Sequence, residues 1–256
     1  MSDQPDSAPA VLTERRDRVL LITLNRPDAM NAINSTLGLA LVAAIEELDG
    51  DDGLSVGVLT GAGRGFCAGM DLKAFLAEGT PAGMFEFLRK GARKPLIAAI
   101  EGFALAGGLE LALTCDLLVA AKGSKLGIPE AGVGLFAAGG ALMRLPRHVP
   151  YGVAMEMALT ADPLTAERSA ELGLVSRLAE PGGAVDEAMV VATRIARNAP
   201  MSTATSKQLV RDSFGQTESE FWDAQVEPLE RVFTSDDAKE GPRAFAEKRT
   251  PNWSGS

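Results

Sequence analysis

The chain has 256 residues, a formal net charge of −9, two cysteines and one histidine. That length suits one sizeable domain with a small appendage, and the acidic balance argues against nucleic acid or an anionic membrane as main partner while allowing a small anion held by a local donor cluster. A single histidine gives little support for a Ser-His-Asp triad or a His-rich metal site, so acid–base work is expected from carboxylates.

Residues 1–10 are acidic, lack the charged-then-apolar pattern of a signal peptide and are expected to form a disordered tail. Val19–Leu24 reads as a strand with 11–15 as its hairpin partner, followed by turn chemistry at Asn25-Arg-Pro-Asp28. Ser35 opens a helix whose Leu37, Leu41, Ala44, Ile45 and Leu48 share one face. A buried strand at 56–60 runs into a loop, 61–69, with four glycines. Residues 71–79 form a short mixed segment, and Met84–Lys90 a helix. Cys67 and Cys115 form neither a metal spacing nor a disulfide framework, which points to a reducing, cytoplasmic compartment. No segment is long and apolar enough to span a bilayer.

Residues 95–116 carry the densest signal. An apolar strand breaks at Gly102 and again at Gly107-Gly108, then resumes as a short helix with Leu109, Leu111, Ala112 and Leu113. Glycines before a helix let a backbone N–H approach a ligand unobstructed. Glu110 lies in the first turn, in nearly all-apolar surroundings; a carboxylate there must be paired, neutralised or functional. Leu117–Ala121 is a strand, 125–128 a short extended piece, and Pro129-Glu130 opens a Gly-rich turn. Helices are expected at 139–145 and 152–159, a helix capped by Thr165 ends near Leu172 with Gly173 after it, and a late strand covers 174–178. From 184 onward the pattern is helical, over 185–198, Pro200–Asp212, 217–234 and 236–248. Strands alternating with helices, then helices alone, argue an α/β fold with a parallel sheet and a C-terminal helical region beyond 198.

Glu110 and Glu130 each follow a strand and open a helix or turn in apolar surroundings. Two such carboxylates facing backbone donors suit proton chemistry α to a carbonyl. The loop 61–69 lacks the dinucleotide fingerprint and the phosphate-loop Lys, which disfavours a nucleotide site or a Rossmann dehydrogenase; within it, Ala68 and Gly69 allow a ligand close to the backbone. Asp116 reads as a structural cap or local pair, and His148 as a surface residue near Arg144 and Arg147. Phe221, Trp222 and Phe233 read as packing, with a subunit interface as their alternative. Leu72, Phe75, Leu76, Met84, Phe85 and Phe87 could line an acyl pocket, though core is the plainer reading for each.

The stretches 25–33 (Asn-Arg-Pro-Asp-Ala-Met-Asn-Ala-Ile), 65–72 (Gly-Phe-Cys-Ala-Gly-Met-Asp-Leu), 95–116, 128–134 (Ile-Pro-Glu-Ala-Gly-Val-Gly), 158–162, 166–176 and 244–249 resemble, in order and across the chain after its first ten residues, the enoyl-CoA hydratase/isomerase (crotonase) superfamily. The resemblance implies a spiral of ββα units over 11–198 and a helical trimerisation region over 199–256, assembled as a homotrimer or dimer of trimers. It implies an acyl-CoA thioester substrate, CoA arriving with the substrate and no separate cofactor or metal. The N–H groups of Ala68 and Gly107 would form an oxyanion hole. Ala68, Gly69, Met70 and Asp71 would lie along the CoA, and Glu110 and Glu130 match the two catalytic glutamates of the hydratases. Having both favours hydration of a trans-2-enoyl-CoA over Δ3,Δ2-enoyl-CoA isomerisation or an acyl-CoA binder without turnover, while a carnitinyl-CoA dehydratase-like lyase, which also keeps both, stays as an alternative. Asp28 stands where many hydratases carry Lys, and Phe136 lies in a segment where straight-chain hydratases often carry a Pro-containing version.

Overall fold

The computed structural model describes residues 8–255, and nine strands there form two sheets. They are β1 (Val11–Arg16), β2 (Val19–Leu24), β3 (Val56–Gly61), β4 (Leu96–Ile100), β5 (Phe103–Leu105), β6 (Leu117–Ala121), β7 (Lys125–Gly127), β8 (Leu164–Thr165) and β9 (Arg177–Ala179). The larger sheet runs β1-β2-β3-β4-β6-β9, and the smaller β5-β7-β8. The β1–β2 hairpin is antiparallel, with Val11 opposite Leu24. From β2 onward the larger sheet is parallel, with Val19 opposite Val56, Ala98 opposite Leu118 and Val119 opposite Arg177.

The chain winds between the two sheets, each turn giving two extended pieces and then helix. After β2, Ile33 bridges to Met70 and leads into α1 (Ser35–Gly50). After β3, Cys67 bridges in parallel to Ala104 and leads into α2 (Leu72–Glu78) and α3 (Met84–Lys90). The next turn is β4, β5 and α4 (Gly107–Ala112). The one after is β6, β7, a 3-10 turn at Pro129–Val133, α5 (Ala141–His148) and α6 (Tyr151–Thr160). β8, α7 (Ala166–Glu171) and β9 return the chain to the large sheet, α8 (Ala184–Ala196) crosses it, and α9 (Pro200–Asp212), α10 (Glu218–Ala224), α11 (Val226–Phe233) and α12 (Asp236–Ala246) follow. This is the expected ββα spiral.

The inner strands β2, β3, β4 and β6 are largely apolar because helices cover both faces of the sheet. Leu20, Ile22, Leu59, Ala98 and Ile100 point into a core shared with Leu37, Leu41 and Leu48 of α1. The alternate residues Val19, Leu21, Val58, Ile97 and Ala99 meet Ala188 and Ala192 of α8. Asn34 caps α1, its side chain accepting from Leu37 N–H at 3.0 Å, a contribution of about 1 kcal/mol.

Three expectations shift. The helix expected over 217–234 is two, meeting at Gln225, because Pro228 has no N–H to give Ala224. The late strand begins at Arg177, since the N–H groups of Leu174 and Val175 still close the end of α7 on Ser169 O. The short strands β5 and β8 went unseen, too brief to show alternation. Of the tail expected over 1–10, residues 1–7 lie outside the described residues; Pro9 O and Ala10 O accept from the side chain and backbone of Asn25 at 2.8 and 2.7 Å.

Asp116 does more than pair locally. Its Oδ2 accepts from Leu96 N–H at 2.8 Å and from Lys207 Nζ of α9 at 2.7 Å. Lys207, its side chain 8% exposed, also donates to Lys94 O at 2.7 Å. Removing one partner of a buried pair strands the other charge. Asp116→Ala is therefore expected to cost about 3 kcal/mol in urea unfolding, and a loss too small to measure would show that α9 is held to the core by other contacts.

Candidate active site

Beyond β3 the chain turns through 62–66 into an extended stretch laced on both sides. Ile33 N–H donates to Gly69 O at 2.8 Å, and Asp71 N–H to Ile33 O at 2.9 Å. On the other side Leu105 N–H donates to Cys67 O at 3.0 Å. The approach is too close for side chains. A Cβ on Gly69, where φ is +103°, would lie 2.8 Å from Ala106 Cβ and 3.1 Å from Gly107 N, and one on Gly108 would lie 2.2 Å from Cys67 O. Asn31, buried, fastens the preceding loop by donating to Ala62 O and Gly65 O, both at 2.9 Å. Cys67 is buried inside the seam; burial pushes its thiol up to about 12, so it acts as a small apolar filler rather than a nucleophile.

This seam brings Gly69 against Gly107. Gly107 N–H opens α4 and has no acceptor within its own helix. Ala68 N–H donates to Met30 O at 3.1 Å. Asp71 caps α2, accepting from Ala74 N–H at 3.3 Å, and its other oxygen sits 3.4 Å from Arg26 Nη1. Met70 packs against the core.

One turn into α4, Glu110 is buried, 5% exposed. Its Oε1 accepts from Ala141 N–H, at the start of α5, at 3.2 Å. Gly139 makes the space: a Cβ there would lie 2.6 Å from Glu110 Oε2. Burial pushes the Glu110 carboxyl above its ordinary range, and this outweighs the downward pull of the Ala141 and Gly139 N–H groups and the Arg144 charge. Glu130 sits in the 3-10 turn after Pro129, with Oε2 buried and lacking a hydrogen-bond partner. Burial raises its carboxyl too; its own N–H opposes that, and the charge of Glu110 adds to it. The Glu110 charge is thus felt at Glu130, where it adds to burial in favouring the protonated form.

Sequence reading missed Arg144, whose only signal was a cation on the inner face of an otherwise apolar turn. It is 8% exposed and donates to Leu88 O, to Gly139 O at 3.3 Å and to Thr114 Oγ1 at 3.5 Å. It thereby ties α3 to the glycines beside Glu110. Arg26 was also passed over as a turn residue, and Asn31 was named only within the stretch 25–33. Of the six apolar residues considered for an acyl pocket, Met84 and Phe87 belong to the core, while Leu72, Phe75, Leu76 and Phe85 are exposed, as is Phe136. His148 and Trp222 are exposed. Among the described residues no group of three or more His, Cys, Asp or Glu could hold a metal ion, and no helix is long and apolar enough to cross a membrane.

A ββα spiral that sets glycine-bared main chain beside two carboxylates biased towards protonation is the architecture of an acid–base enzyme. The chain belongs to the enoyl-CoA hydratase/isomerase family, whose model matches residues 14–256. It is 40% identical to the enoyl-CoA hydratase EchA19 of Mycobacterium tuberculosis over 97% of each chain. It is 36% identical to the 2,3-dehydroadipyl-CoA hydratase of Escherichia coli, covering 96% of this chain and 98% of that one. The crystal structure of enoyl-CoA hydratase EchA1 from Mycobacterium marinum superposes with a TM-score of 0.92 at 52% identity, covering 97% of this chain and all of the other.

The Gly139 contact yields a direct test. Gly139→Ala must displace the Glu110 carboxylate, and displacement of a reacting group by about 1 Å can cost ~100-fold in rate. Hydration of crotonyl-CoA should fall by roughly that factor while the thermal melt stays cooperative. Full turnover in a folded variant would mean that Glu110 does not act from where it sits.

Proposed function

We propose that the protein is an enoyl-CoA hydratase, adding water reversibly and syn across a trans-2-enoyl-CoA to give a 3-hydroxyacyl-CoA. The observation that carries this reading is the pair of carboxylates, Glu110 buried and Glu130 half-buried, both raised by burial and Glu130 also by the charge of Glu110, next to the seam that holds Gly107. The acyl-CoA lies along Ala68, Gly69, Met70 and Asp71, with its thioester oxygen between the N–H groups of Ala68 and Gly107. Ala68 N–H gives up Met30 O for that oxygen, exchanging a neutral acceptor for one that becomes charged. Hydrogen bonds to charged acceptors are the stronger ones, so the exchange favours the enolate-like transition state over the bound ground state. Losing one such donor typically costs about 3 kcal/mol of barrier.

Glu110 acts as the base that orients and deprotonates the water. Its bond from Ala141 N–H and the Arg144 charge favour the ionised form more than anything near Glu130 does. Glu130, with a buried oxygen lacking a partner, carries the proton and delivers it to the α-carbon. CoA enters as part of the substrate, and the chain's own groups supply every proton transfer.

Glu110→Gln and Glu130→Gln should each lower kcat by about 100-fold or more, and near-normal crotonyl-CoA hydration in both would overturn the assignment. The pH profile gives the signs. Activity needs Glu110 ionised and Glu130 protonated, so the rate is bell-shaped, and because burial raises both carboxyls, both limbs sit above the ordinary carboxylate range. Residual activity of Glu110→Gln should lose the acid limb, and that of Glu130→Gln the alkaline limb.

The C-terminal region 199–256 we assign to assembly. Trp222, Leu229, Phe233 and Phe245 are 50–87% exposed there, an apolar display suited to contact between copies. Sedimentation velocity should give a trimer or a dimer of trimers, and a single-chain mass at micromolar concentration would refute this.

A further inference from the structure

At the opposite end of the large sheet's strands lies a cleft of about 680 Å³. It is framed by Asp52 and Leu54 just before β3, by Arg93 and Lys94 just before β4, by Arg89 and Lys90 at the end of α3, and by α9. The strands are parallel, so these residues sit at their amino ends, while Ala68, Gly107 and Glu110 follow their carboxyl ends. Besides the four cations from the core, Lys207 and Arg211 of α9 and Arg231 of α11 line it. Only Asp52 and Asp212 oppose them along the lining, in a chain whose net charge is −9.

Local carboxylates pair with Arg89 and Lys90 (Glu86), Arg231 (Glu227) and Lys207 (Asp116), but among the described residues none is at salt-bridge distance from Arg93, Lys94 or Arg211. Lys94 Nζ donates to a backbone carbonyl, Asp51 O, at 2.6 Å, and the Arg93 guanidinium to Asp49 O. Arg211 lies over the bare Gly91, half-buried, with no carboxylate at salt-bridge distance among the described residues. Burial lowers the pKa of both lysines. The Arg93 charge lowers that of Lys94 further, and Arg211 does the same at Lys207 against the support of Asp116. These cations line a cavity of the size that holds a small ligand. Guanidinium and ammonium groups converging on one concave site match phosphate oxygens.

We propose that this cleft binds a small, multiply charged phosphate anion, at a site separate from the one for the acyl-CoA. Concavity and depth favour a small anion over the acidic surface of a second copy. The site goes beyond the hydratase reading and does not depend on it.

The test is calorimetric titration of the full chain with pyrophosphate and, separately, with ATP, each in the presence of saturating acetyl-CoA, which fills the thioester site but offers no double bond to hydrate. One anion should bind per chain, more weakly as salt is raised. Equal affinities would identify phosphate alone as the recognised group, and tighter ATP binding a nucleotide. Arg211→Gln should weaken binding about tenfold, and Lys90→Gln, on the exposed rim, by less, while crotonyl-CoA hydration without added phosphate stays unchanged in both. Acetyl-CoA that abolishes anion binding, wild-type affinity in both variants, or a change in sedimented mass with no anion uptake would each overturn the proposal. Failure of acetyl-CoA to bind would count against the hydratase reading alone, since dependence on Arg211 still reports on the cleft.

Discussion

The seam between 67–70 and 104–108 is a contact between two main chains. At Gly69 and Gly108 a single methyl group would fall within 2.8 Å of Ala106 Cβ or 2.2 Å of Cys67 O, separations that no side-chain rearrangement relieves when the obstacle is backbone. Because the bulk is missing there, the second extended piece of one turn can bridge in parallel to that of the next, Cys67 to Ala104. Those bridges fix where Ala68 and Gly107 lie and aim α4 so that Glu110 points beneath α5. The position of the acidic groups is therefore a consequence of backbone spacing set many residues away.

Burial sets the chemistry of the two carboxylates, and the protein limits burial with a small number of backbone donors. A buried acceptor left unpaired costs about 1–3 kcal/mol, and protonation is one way to relieve that cost. Glu110 has Ala141 N–H and the neighbouring glycine amides, so its ionised form is partly supported. Glu130 has its own N–H and an oxygen with no partner. The same apolar surroundings thus hold two identical side chains to different degrees of readiness, which is how a pair of like groups can divide acid and base roles.

Much of this was legible in the chain. Apolar runs bounded by glycine and proline marked β2, β3, β4 and β6 because strands buried on both faces have no polar alternation to blur them. Glu110 and Glu130 stood out because carboxylates are rare in such surroundings. What could not be read was pairing across sequence distance. Arg144 looked like one more basic residue on a short helix, since nothing local shows that Leu88 O and Thr114 lie in its path. Asp116 looked like a cap for the same reason: its partner, Lys207, comes from a helix that folds back from beyond the spiral. The split at Gln225 was readable from Pro228, but the strong helical pattern on both sides masked it.

Arg144 shows what a site of this kind must avoid. A guanidinium buried near a carboxylate would ordinarily form a bidentate pair with it, holding the acid ionised and its basicity low. Here the fork is committed elsewhere, to the carbonyls of Leu88 and Gly139 and the hydroxyl of Thr114. Its charge still reaches Glu110 but only tempers the rise that burial produces. The arrangement lets one cation lock α3 against the loop that shelters Glu110 without quenching the group it shelters. A lysine in its place would carry the same charge, yet could not span those three acceptors in one plane, so geometry rather than charge accounts for the residue found there.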